Sequence, residues 1–118
     1  MSALAYKLID RAEWREAAAV GAYLGSEVDR ADGFIHLSDA GQVAETARRH
    51  YAGRQNLLLL AVDLDAVADV RWEPSRGGAL FPHIHGSLPV AAVRSERPLS
   101  VDAEGLLRFE DGGPGWPA

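Results

Sequence analysis

Three of the four histidines in this chain fall in two short segments: His36 in ADGFIHLSDA (31–40), and His83 and His85 in FPHIHG (81–86). Side chains alternate across an extended strand. If 34–38 is extended, Ile35 and Leu37 share a core face. Phe34, His36 and Ser38 then share the other, which puts an aromatic ring, an imidazole and a hydroxyl side by side. In the second segment His83 and His85 point where Phe81 points, leaving Pro82 and Ile84 behind. Either histidine segment alone reads as ordinary polar residues at a strand end, bonded to backbone. Two such segments with aromatics beside them point to opposite walls of one ligand cleft. Lys7, on an apolar first strand, is expected to converge on the same place, because one partly wet cleft leaves fewer polar groups unsatisfied than three separate burials.

Other chemistries fit less well. A His-x-His pair with a third histidine and Asp39 is a donor set for zinc or iron. No helical His-x-x-x-His or Glu-x-x-His spacing accompanies it, so no metal is expected. Ser38 lacks the glycine elbow of a serine nucleophile. His50, between Arg49 and Tyr51 on a helical stretch, reads as structural.

The elements that must position these groups follow from periodicity and caps. Leu4–Ile9 reads as a strand. Asp10 caps a helix with Glu13 at its third position and Trp14, Ala17, Ala18 and Ala22 near one face, ending at Gly21–Gly25. Ser26 caps a short helical turn carrying Glu27, Asp29, Arg30 and Asp32 before Gly33. Asp39 caps a helix over about 40–52 with Val43, Ala44, Ala47 and Tyr51 inward. The leucine-rich run Asn56–Asp63 predicts a strand buried on both faces and therefore central in the sheet. Val70–Glu73 is a short strand bringing Trp72 in, and 74–79 (PSRGGA) is a mobile loop by composition. Pro82 cannot donate to a ladder, which places the FPHIHG segment at an edge or in a loop. Val90–Arg94 alternates as a strand, and Asp102–Gly105 turns between Leu99–Val101 and Leu106–Phe109. The whole reads as α+β, with a mostly antiparallel sheet and two main helices. Residues 1–111 form a single domain, and 112–118 are a Gly/Pro-rich tail whose Trp116 can fold back.

Composition narrows the function classes. A chain of 118 residues suits one domain with a proper core. A formal charge of −5 with a single lysine argues against an extended nucleic-acid surface. With no cysteine there is no thiolate ligand or nucleophile. The longest aliphatic run, Leu57–Val62, is far too short to span a membrane, and the N-terminus lacks a signal-peptide pattern, so the expected compartment is the cytoplasm. A monomer or weak homodimer is expected.

The stretches AYKLIDRAEW, DGFIHLSDAGQV, LLLLAVDLDAV, VRWE and FPHIHGSLPVAAV together resemble the bacterial family catalogued as domain of unknown function 952. That family in turn is similar to the ADP-ribosyltransferase fold, and IHLSDAGQVAETA is similar to a segment of the NAD-dependent RNA 2'-phosphotransferases. The resemblance implies a split antiparallel sheet opening into a cleft for NAD or an ADP-ribose-like, nucleotide-like ligand. It also implies cleavage or transfer at the nicotinamide–ribose bond. His36 would orient the ribose, His83 would stand at the rim, and Glu96 or Glu73 would steady charge on the sugar. Ligand contacts would come from Lys7, Phe34, Ser38, Trp72, Phe81, His85 and Gly86. One departure is Tyr6–Lys7, where the family usually has Tyr-His; a protonated lysine binds phosphate or ribose hydroxyls but does not accept a hydrogen bond. The other is His85 in place of a common tyrosine. A non-catalytic binding module and a histidine-based metal enzyme are the alternatives.

Overall fold

The computed structural model describes residues 3–112. Its centre is β4 (Leu57–Asp63), buried at every position. β1 (Leu4–Asp10) pairs antiparallel on one side of it, from Leu4↔Asp63 to Asp10↔Leu57. β8 (Val93–Val101) pairs on the other side, with a bulge at Ala61/Val62, and β9 (Leu107–Phe109) completes the order β1-β4-β8-β9. Because β4 alternates, it feeds two cores. Leu58, Leu60 and Val62 pack with Ala5, Ile9, Trp14, Ile35, Leu37 and Ile84, whereas Leu57 and Leu59 pack with Leu8, Val43, Ala47, Leu99 and Val101.

The first core is closed by α1 (Arg11–Val20), which the Asp10 carboxylate caps from Ala12 N–H and Glu13 N–H and which Gly21 ends in the left-handed region. Two small antiparallel sheets complete that side. One pairs β2 (Ala22–Tyr23) with β7 (Leu88–Pro89); the other has the order β3 (Ile35–His36), β6 (Leu80–Ile84), β5 (Val70–Pro74). The second core is closed by α3 (Val43–His50). Between β2 and β3 lies α2 (Glu27–Asp32), with a complete capping box: Ser26 Oγ accepts from Asp29 N–H, and the Asp29 carboxylate accepts from Ser26 N–H. No helix among the described residues is long and apolar enough to cross a membrane. Two helices of eight and ten residues and a six-residue third on antiparallel sheets make the α+β class plain.

Several elements differ from the sequence expectation. The 34–38 strand contracts to two residues because Ser38 leaves β6 and bridges to Tyr6 of β1 instead. α3 starts at Val43, not Ala40: residues 39–42 are a turn in which Asp39 N–H donates to Gln42 Oε1. β6 is the middle strand of its sheet. Pro82 is tolerated because β3 pairs only with His83 and Ile84, so its missing donor falls past the end of the ladder, where its carbonyl accepts from Leu37 N–H. Ala18 and Ala44 are exposed. Val90–Ala92 is a 3₁₀ turn, and the strand that follows is nine residues long. Trp72, on the edge strand β5, is 46% exposed and does not enter the core. The predicted tail, Trp116 included, lies outside the described residues apart from Gly112.

Candidate functional site: a cleft floored by a buried ion pair

Lys7 sits on the β1 face that carries Ala5 and Ile9, and its ammonium ends on polar partners. Nζ lies 3.3 Å from Asp29 Oδ2 and donates to His36 O at 3.0 Å. Lys7 and Asp29 are 8% and 2% exposed, so this is a buried, hydrogen-bonded charge pair. Asp29 is held there by the capping box of α2, and Gly25, at φ +105°, comes close enough that an added Cβ would lie 2.9 Å from Asp29 Cβ. Asp29 Oδ1 accepts from His36 N–H at 3.3 Å and faces His36 Nδ1 at 2.6 Å, while His36 Nε2 faces Asp32 Oδ2 at 2.9 Å. Carboxylates thus face both ring nitrogens of His36, while the Lys7 cation reaches its backbone carbonyl.

Burial alone would raise the Asp29 carboxyl, but the His36 hydrogen bond, the Lys7 charge and the backbone N–H donors outweigh it and hold it far below the usual carboxylate range. Burial lowers the Lys7 ammonium, with Asp29 offsetting part of that effect. Burial, then the Asp29 and Glu13 charges, push the Tyr23 phenol well above its ordinary value, so it remains a donor.

These groups floor a cleft of about 650 Å³. Consecutive β1 residues, Tyr6 to Asp10, form one side; Asp29, Asp32, His36 and Ser38 form the other; Thr46, His50 and Tyr51 come from α3 and its end. Ser38 is 6% exposed, and its hydroxyl is 2.9 Å from that of Thr46. Tyr51 donates to Leu8 O at 3.0 Å, and Arg54, also lining the cleft, stacks over the Tyr51 ring at 4.9 Å.

A second cluster abuts the first. Phe34 stacks on His83 with centroids 4.1 Å apart, and its centroid lies 4.7 Å from that of His36 and 5.2 Å from that of His85. The His36 and His83 rings meet edge to face at 5.4 Å. Glu73 Oε1 lies 2.9 Å from His83 Nδ1 and 2.6 Å from His85 Nε2, and those hydrogen bonds hold its carboxyl below its ordinary value.

The structure therefore brings Lys7, His36, Ser38 and Phe81 to the cleft and places Phe34, His83 and His85 behind His36. It does not bring the rest. Glu96 accepts from Trp14 Nε1 at 2.8 Å in a separate recess with Arg11, Arg15, Leu58 and Pro98, because β8 lies on the far side of β4 from β1. Trp72 and Gly86 do not line the cleft either, one on an edge strand and the other in an exposed turn. Asp39 and His36 are not gathered with the His-x-His pair as a donor set. Sequence reasoning missed Asp29, Asp32, Tyr23 and Arg54 and gave His50 only a structural role. The signal available for Asp29 was the Ser-x-x-Asp box, which reads as a cap and hides the second use of the same carboxylate.

Two solved structures of protein CC0527 from Caulobacter crescentus share this architecture. The crystal structure is 49% identical over 89% of this chain and 93% of that one, with a TM-score of 0.83. The solution NMR structure is 49% identical over 89% and 90%, with a TM-score of 0.77. No curated protein matches the chain. The family model described as protein of unknown function (DUF952) matches residues 8–96, from the middle of β1 through both histidine segments, and the chain belongs to that family.

Proposed function

We propose that the cleft binds a small nucleotide-like ligand of the NAD or ADP-ribose class. The observation that carries the reading is the buried Lys7–Asp29–His36 network at its floor, since charge is kept inside a domain at a cost that a packed apolar core avoids. The volume is in the range of small-molecule and cofactor sites. Arg54 over Tyr51 offers a guanidinium for phosphate at one end. Tyr6, Tyr23 and Phe81 offer apolar rings, and Ser38 and the half-exposed Asp32 offer polar contacts for ribose hydroxyls. If the bound ligand reacts, the nicotinamide–ribose bond breaks with its electron pair leaving on nicotinamide, while an acceptor hydroxyl oxygen bonds the anomeric carbon and releases its proton to solvent. Asp32, half-exposed on the cleft wall, is then the carboxylate open to positive charge on the sugar.

The test is a thermal-shift panel of NAD, ADP-ribose and a 2'-phosphorylated nucleotide, run without metal. A ligand at a hundred times its Kd adds about 2.7 kcal/mol of stability, an upward shift of several degrees. His36→Ala should remove that shift. Release of nicotinamide separates an enzyme from a binding module. No shift with any of the three ligands would sink the reading.

A further inference from the structure

We propose that Glu73, His83 and His85 form a binding site for one divalent first-row transition-metal ion of the zinc class, separate from the ligand cleft. The β5–β6 register sets it up. Glu73 stands opposite Phe81 and Arg71 opposite His83, so Glu73 and His83 are diagonal neighbours on one face, and His85 follows two residues on. His85 is fixed just past the strand end by its N–H, which donates to Asp69 O at 3.0 Å. One ligand atom from each of the three residues lies within 4.8 Å of the other two. Donors around an ion at zinc–ligand distances of about 2.0–2.2 Å sit roughly 3.3–3.6 Å apart in a tetrahedron. Glu73 Oε1 needs to withdraw from the two ring nitrogens by less than about 1 Å to admit the ion.

Two imidazoles and a carboxylate are a donor set for this class of cation. The rings present the needed lone pairs when their protons sit on the other ring nitrogen. His83 is held rigidly, 2% exposed with Phe34 stacked on it, while Glu73 and His85 are partly open to solvent and provide the way in. Arg71, on the same face of β5, is held by Asp69 at 2.8 Å. His36 is not part of the set, because Asp29 and Asp32 face both its ring nitrogens. Three protein ligands leave a coordination position for water or another small donor.

The experiment takes the full chain, stripped with chelator, and titrates it with Zn²⁺ by calorimetry, followed by metal analysis after dialysis. One Zn²⁺ per chain and a raised melting temperature are expected. His85→Ala and Glu73→Gln, checked for folding by circular dichroism, should weaken binding at least tenfold, while His50→Ala should bind as the wild type does. Wild-type chain that retains no stoichiometric Zn²⁺, folded variants that bind as tightly as wild type, or an equal loss in His50→Ala would each overturn the proposal. In those cases the triad is a hydrogen-bond network only.

Discussion

Lys7 is the only lysine in the chain, and it spends its charge on one aspartate. Breaking such a pair from one side leaves the other charge stranded, so Lys7→Met and Asp29→Asn should each cost about 3–5 kcal/mol by urea unfolding. The double variant should cost clearly less than the sum. Asp29 also sets a pH dependence. Its folded carboxyl binds a proton more weakly than the unfolded one, so the unfolded chain takes up protons first on acidification. Its contribution is complete above the ordinary carboxylate range and is lost as pH falls through and below it. Asp29→Asn should therefore flatten the acid limb of a stability profile, and an unchanged limb would show that other carboxylates dominate.

At the scale of elements, β4 and the turn after β8 make different demands. Leu60, fully buried in the first core, should cost about 2–5 kcal/mol on truncation to alanine. Gly105 has φ +87°, and a Cβ there would lie 2.7 Å from the Arg48 Cα of α3. Gly105→Ala should lose about 1–3 kcal/mol from the backbone conformation alone, and more from the clash, read as a lower urea midpoint. Elements with local signals were legible: the leucine run of β4, the Asp10 cap and the Ser26 cap each name their element. The two-residue strands β2 and β7 were not, since each is held by a partner distant in sequence, and β3 was read longer than it is because its pairing stops after two residues. The same reason divides the site. Alternation found Lys7, His36 and Ser38, but only tertiary packing could show that Glu96 lies across the sheet and that Glu73 meets the His-x-His pair.

At the scale of the whole molecule, two cores on either side of β4 leave the cleft along β1. The 74–79 hairpin tip is closed by Ser75 N–H to Ala79 O and Gly78 N–H to Ser75 O, and Ser75 lines the cleft. Its amides should exchange quickly in the free protein and slow when a ligand is bound; strong protection without ligand would remove the idea of a closing loop. The four-stranded and three-stranded sheets communicate through the backbone bridge at Tyr6 and Ser38, where Tyr6 N–H donates to Ser38 O at 2.7 Å and Ser38 N–H donates to Tyr6 O at 2.9 Å. This bridge works as a clasp. The two bonds form a single ring, so neither can stretch far without the other, and one residue along β1 the Lys7 contacts to Asp29 and His36 O hold the same two walls together. Release of the clasp is then one event reported by two amides, and Tyr6 and Ser38 should lose protection together at one common rate.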